Sequence, residues 1–270
     1  NPEEKTGRVL ALVLDGQRVL KVEAGDIVEV LLPQTGFYIE SGGQVSDTGV
    51  IRSVGKLPNG KPEWEIDIEE VKKTAPGVII HVGEVIYGHP RVEDEANAIV
   101  EKSRRHDIMR NHTATHLLHA ALQKVLGKTT RQAGSLVAPD HLRFDFTYQQ
   151  AMTGEQLNDV ERLVNEAIFS ELAVIPQEKN REEAIKDGAT ALFGEKYGEM
   201  VRTVSILSQD DIDEQEKHSY ELCGGTHITN TSEIGMFLVI SESSAAAGIR
   251  RIEAVTGRKA YELVVKRFSP

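Results

Sequence analysis

Cys223 is the only cysteine of the chain, and it sits in the run Cys223-Gly224-Gly225-Thr226-His227. Far upstream, His112-Thr113-Ala114-Thr115-His116 carries two more imidazoles at the same four-residue spacing. One thiol and three imidazoles are a donor set for one tetrahedral zinc ion. Histidines four apart on a helix project from one face about a turn apart, so both rings can address one ion. The Gly224-Gly225 pair frees the backbone to turn, which lets Cys223 and His227 close from the other side. A His-x-x-x-His pair alone is unspecific; joined to the only cysteine at matching spacing it is a strong signal. His112, His116, Cys223 and His227 are therefore the expected ligands of one Zn2+ per chain. A closed four-ligand site is normally structural, while a catalytic ion keeps a position for water or substrate, and the sequence leaves both readings open.

Two regions are expected to carry these residues. Residues 8 to about 90 read as β-structure, with apolar runs at Val9 to Leu14 and Ile27 to Leu32. Asn59-Gly60 falls between Ile51 to Val54 and Trp64 to Ile68 as a hairpin signal. A further strand is expected over Val78 to His81. Short strands with frequent turns and no helix point to a small β-barrel. From Val92 to Leu126 the apolar spacing becomes helical, with Gly127 as a stop. Paired strands are expected over Ser135 to Val137 and Leu142 to Phe146, and a helix capped by Thr153 to about Glu171. A helix near Glu182 to Lys186, a strand near Met200 to Ser205, paired strands across Met236 to Thr256 and a helix Lys259 to Phe268 follow. The expected fold is α+β: an N-terminal β-barrel over 1–90 and an α+β zinc-containing domain over 91–270.

Composition narrows the function. The single cysteine excludes an intramolecular disulfide and fits a reducing, cytoplasmic setting. No apolar stretch reaches the ~20 residues of a membrane span, and no signal-peptide pattern opens the chain. The start Asn-Pro-Glu-Glu, without Met, suggests an excised portion of a longer protein. A net charge of −11 argues against indiscriminate nucleic-acid binding, though not against local basic strips. Acid gathers at Glu63 to Glu70, Glu93 to Glu95 and Gln209 to Glu216. Base gathers at Arg104, Arg105 and Arg110, at Lys124, Lys128 and Arg131, and at Arg250, Arg251, Arg258, Lys259, Lys266 and Arg267. Two of these basic groups flank the His and Cys motifs, which suits a nucleic-acid-facing role.

Three separated words occur in one order: Ser41-Gly42-Gly43-Gln44-Val45-Ser46-Asp47-Thr48-Gly49, then Arg110-Asn111-His112-Thr113-Ala114-Thr115-His116-Leu117-Leu118-His119, then Cys223-Gly224-Gly225-Thr226-His227. Together they resemble the editing region of alanyl-tRNA synthetase and its free-standing relatives and, more distantly, the threonyl-tRNA synthetase editing domain. Ile39 and Ser46 depart from the smaller Ala and Gly of that pattern. The resemblance spans nearly the whole chain and implies post-transfer editing by an aminoacyl-tRNA deacylase. That activity is zinc-dependent hydrolysis of serine or glycine mischarged onto alanine tRNA, with the rest of the parent synthetase as a further partner. A free-standing editing protein and an inactive zinc-stabilised tRNA-binding module are the alternatives.

An editing pocket that spares alanine must reward serine's hydroxyl over a methyl group. Gln132 is the candidate reader by motif position, with Thr115, adjacent to His116, as a further hydroxyl. Ser41, Gly42, Gly43, Gln44 and Asp47 are expected to contact the tRNA 3′ end or another domain. At most one of Arg250 and Arg251 is expected to do so, because neighbours on a strand face opposite ways. No residue stands out as catalytic base; His119, Asp47 and Asp145 each have an ordinary structural role as well.

Overall fold

The computed structural model describes residues 3–75, 77–191, 197–208 and 217–268, so the acidic run 209–216 lies outside the described residues. Contacts divide the chain into two compact units, Asn1–Ser41 with Val45–Arg105, and Gly42–Gln44 with His106–Pro270.

The first unit holds eight strands: β1 (Glu4–Arg8), β2 (Ala11–Leu14), β3 (Gln17–Val19), β4 (Ile27–Leu31), β5 (Gly49–Ser53), β6 (Glu65–Ala75), β7 (Val78–Tyr87) and β8 (Glu95–Val100). Successive strand residues face opposite sides, so Val28 and Val30, Ile66 and Ile68, and Ala96, Ala98 and Val100 enter one core around Phe37 and Trp64. The Asn59-Gly60 turn joins β5 to β6 as the sequence suggests, the two strands pairing antiparallel.

The expected barrel is corrected. The strands form one antiparallel sheet in the order β1-β8-β5-β6-β7-β4-β2-β3, and among the described residues β1 pairs only with β8 and β3 only with β2. Both edge strands are short and carry charge (Glu4, Lys5 and Arg8; Arg18), a composition that disfavours further strand pairing. Bulges at Ile68/Glu70 and Lys73/Ala75 bend the long β6–β7 hairpin instead. The expected helix at Val92 to Val100 is likewise a strand, β8: Glu-Ala-Asn-Ala-Ile-Val buries alternate residues, and that period of two prevails over the helix-favouring Glu and Ala. Helix begins only at Lys102. β7 also runs on past His81 to Tyr87, through Gly83.

The remaining elements are α1 (Lys102–Leu126, in the second unit from His106 on), β9 (Gln132–Val137), β10 (Leu142–Thr147), α2 (Gly154–Phe169), β11 (Ala173–Asn180), α3 (Arg181–Lys186), β12 (Met200–Leu207), β13 (Ser219–Leu222), β14 (Phe237–Ala246), β15 (Ile249–Thr256) and α4 (Gly257–Phe268). They build one antiparallel sheet β14-β15-β10-β9 and another, β11-β12-β13. α1 is almost wholly buried over its middle. Its Leu117, Leu118 and Leu122 pack with Phe144 and Phe146 of β10, Val160 and Val164 of α2, and Ile252 of β15. Each such side chain contributes about 1.5–3 kcal/mol on burial. Thr153 and Gln156 close a reciprocal capping box that starts α2 where the sequence places it. Asn111 ties α1 down: its amide donates to Ala138 O at 2.7 Å, and its carbonyl accepts from Thr256 Oγ1 at 2.7 Å.

Candidate metal centre

A helix advances 100° per residue, so His112, His116 and His119 stack along one buried face of α1. The facing loop leaves β13 at Cys223 and is held by Arg202, whose Nη1 donates to Cys223 O at 2.9 Å and Gly225 O at 2.7 Å. Cys223 N in turn donates to Arg202 O at 3.0 Å. Gly225 is required by close approach: a Cβ there would lie 1.9 Å from His112 Cε1.

This packing gathers His112, His116, Cys223 and His227, with one donor atom from each, all within 4.8 Å of one another. Cys223 Sγ lies 3.4 Å from His112 Nε2 and 3.2 Å from His227 Nε2. Around a tetrahedral zinc, Zn–S near 2.3 Å and Zn–N near 2.05 Å give donor–donor edges of about 3.3–3.6 Å. The donor set and its spacing therefore fit zinc.

Two of the Nδ1 atoms are hydrogen-bonded, and the third stands at ion-pair distance from a carboxylate. His112 Nδ1 is 2.6 Å from Gln44 Oε1, His227 Nδ1 is 3.0 Å from Thr113 Oγ1, and His116 Nδ1 is 3.2 Å from Glu221 Oε2. Such partners fix ring orientation at metal sites. Glu221 Oε1 is also 2.9 Å from His119 Nδ1, and Gln123 Nε2 lies 3.1 Å from His119 Nε2, so His119 belongs to the layer behind the ligands.

Burial resists charging the Cys223 thiol, but the His112 and His227 rings outweigh it and hold its pKa well below the ordinary value. At His116 burial is likewise overcome, by Glu221 and Cys223, and the pKa rises to about 10. At His227 burial and the charge of His112 prevail, lowering the pKa to about 3. Burial would raise the Glu221 pKa, yet His116 and His119 pull it below the usual carboxylate range. Such perturbed groups in one cluster are typical of functional sites.

The other sequence candidates scatter. Gln132 is half-buried on β9 and donates to Ser135 Oγ at 3.1 Å. Thr115 bonds back to His112 O at 2.7 Å, the backbone alternative open to a helical threonine. Ser41 and Asp47 belong to the first unit, Gly42, Gly43 and Gln44 to the second. Asp47 is buried in an ion pair with Arg105, so neither presents charge to a ligand, and the basic group at Arg104, Arg105 and Arg110 loses its middle member as a surface cation. Arg250 and Arg251 do face opposite ways, and both hold carboxylates: Arg250 grips Glu242 at 2.5 and 2.7 Å, Arg251 grips Asp145 at 2.7 and 2.8 Å. Sequence reasoning assigned no role to Thr113, although it sits inside the His112 to His116 word, and missed Arg202 and Glu221, which lie in no motif.

Comparison with known proteins agrees with these motifs. Residues 201–253, which include the whole Cys223 to His227 loop, match the family model described as "Threonyl and Alanyl tRNA synthetase second additional domain". Residues 2–104 match the model "tRNA synthetases class II (A)". Among curated relatives, the alanine–tRNA ligase of a Roseiflexus species is 48% identical over 268 residues, 94% of this chain and 29% of that protein. The ligase of Desulforamulus reducens is 46% identical over 254 residues, covering 94% and 27%. That of Pelotomaculum thermopropionicum is 48% identical over 261 residues, covering 97% and 28%. The chain is thus a relative of the alanyl-tRNA synthetases, and it spans under a third of the length of these relatives.

Proposed function

We propose that this chain is the editing portion of an alanyl-tRNA synthetase, a deacylase that hydrolyses the ester linking serine or glycine to alanine tRNA. The observation that carries the reading is the convergence of His112, His116, Cys223 and His227 in a chain related to alanine–tRNA ligases. These four residues would hold one Zn2+. When bound, zinc supplies Lewis acidity toward an ester carbonyl or a water. The chain's own groups then orient and sort. Gln44, Thr113 and Glu221 fix the three ligand rings. Gln132 reads the amino-acid side chain, because its amide can pair with a serine hydroxyl and is left unpaired by alanine's methyl. Thr115 has its proton committed to His112 O and offers only lone pairs. Exposed Lys124, Lys128 and Arg131 supply positive charge close to Gln132 in sequence, suited to the phosphates of a tRNA end. In this reading Gly42 and Gly43 keep side chains away from the 3′ end, and Ser41, Asp47, Arg250 and Arg251 support the surrounding structure. No described helix is long and apolar enough to cross a membrane.

A closed set of four protein ligands also suits an ion that only pins α1 to the Cys loop, in an inactive tRNA-binding module. Presenting seryl-, glycyl- and alanyl-tRNA to the chain separates the two readings. Serine and glycine should be released and alanine spared, with activity lost on chelation and in Cys223→Ala. Stoichiometric zinc without any deacylation would favour the module.

A further inference from the structure

We infer that Gln44 is a positioning residue of the metal centre, one that sets the tautomer of His112 and locks the Cys-Gly-Gly-Thr-His loop to α1. The inference rests on the reading of the His/Cys cluster as a metal site. Gln44 is fully buried, and its amide makes three contacts, all within the second unit. Thr226 N donates to Gln44 Oε1 at 2.9 Å, and Gln44 Nε2 donates to Thr226 Oγ1 at 2.9 Å. A backbone N–H can only donate, so the first bond fixes which end of the amide is the oxygen. That same oxygen lies 2.6 Å from His112 Nδ1, which must therefore carry a proton and donate. The His112 lone pair then falls on Nε2, the atom that faces Cys223 Sγ. One amide thus joins helix and loop and leaves the correct nitrogen free to ligate.

The backbone around Gln44 is built to deliver it. Val137 N donates to Gly43 O at 2.7 Å, Ser135 Oγ donates to Gly42 O at 3.3 Å, and Gln44 bridges Val137 in parallel. Residues 42–44 therefore lie along the free side of β9. Gly43 has φ +84°, and a Cβ on it would fall 2.4 Å from Ser135 Oγ and 2.5 Å from Ser135 O, so the strap tolerates no side chain there. Gly225 also admits Gln44: its Cβ would stand 2.8 Å from Gln44 Oε1.

The test is metal affinity, read by competition of zinc with a chromophoric chelator, and the absorption spectrum of the cobalt-loaded chain. Gln44→Ala should bind zinc ~10–100-fold more weakly, the usual cost of losing a partner behind a ligand, and should shift the cobalt bands. Gln44→Glu keeps an acceptor for both His112 Nδ1 and Thr226 N and should recover most of the affinity and the wild-type spectrum. Gly43→Ala leaves Gln44 in the sequence but displaces its strap, and should weaken zinc as Gln44→Ala does. Wild-type affinity and spectrum in Gln44→Ala, or a Gln44→Glu chain as weak as Gln44→Ala, would overturn the inference. A wild-type chain that takes up no zinc would instead overturn the metal reading beneath it.

Discussion

Gln132 and His112 are candidates of two different kinds. His112 was legible because four-residue spacing on a helix and a Gly-Gly loop with the only cysteine define a donor set without any knowledge of the fold. Its partner Gln44 stands 68 positions away, and Thr113 meets His227 across 114. Nothing in local spacing announces such pairs, since they exist only once α1, β9 and the Cys loop have packed. Gln132 is assigned by motif, and its chemistry can be measured directly. An unpaired buried polar group costs about 1–3 kcal/mol, so Gln132→Leu should narrow the preference for seryl- over alanyl-tRNA by one to two decades while zinc content stays unchanged. Glycyl-tRNA, with no side chain to read, should be hydrolysed much as before. Parallel deacylation rates for the three esters measure this; unaltered selectivity would make Gln132 scaffold.

The short 3-10 turn Thr231–Ile234 shows how an element can depend on one carboxylate. Glu233 Oε1 accepts from Thr229 N at 3.0 Å, Thr229 Oγ1 at 2.7 Å and Asn230 N at 3.1 Å, while Oε2 lies 3.0 Å from His106 Nε2. Partial burial opposes the charge, but these donors win and lower the Glu233 pKa from 4.5 to about 2. A depressed carboxylate stabilises the fold fully above its unfolded value and loses that contribution as pH falls through the folded one. Glu233→Ala should therefore cost about 0.5–2 kcal/mol at neutral pH, the range for a lost cap, and the gap to wild type should close between pH 4.5 and 2. Urea melts across that window check it. Other elements explain why some of the fold was readable and some was not. The α2 cap and the β9–β10 pair carry local signals. β11 contains Pro176, which argues against a strand, and the structure accommodates it by making β11 an edge of its sheet. β8 spells a helix by composition and a strand by alternation, and pairing with β1 and β5 decides between them.

Across the whole molecule, all four candidate ligands fall in the second unit, with its own apolar core. Removing metal should act on that unit. Hydrogen exchange after chelation should accelerate at the amides of α1 and β13 and leave β4 to β7 as protected as before; uniform loss across both cores would contradict this separation. The sequence order of the pieces adds a consequence in time. Gln44 and Thr226 are 182 residues apart. At about 5–20 residues per second, a ribosome makes Gln44 roughly 10–40 s before Thr226 exists. For about the first half of that interval β9 does not exist either; once it does, the strap can lie along it, but the buried amide still has no loop to hold. Cys223 and His227 arrive after α1, β9, β10, α2 and β11 to β13, so a newborn copy cannot assemble the four-residue cluster until those parts of the second core are made.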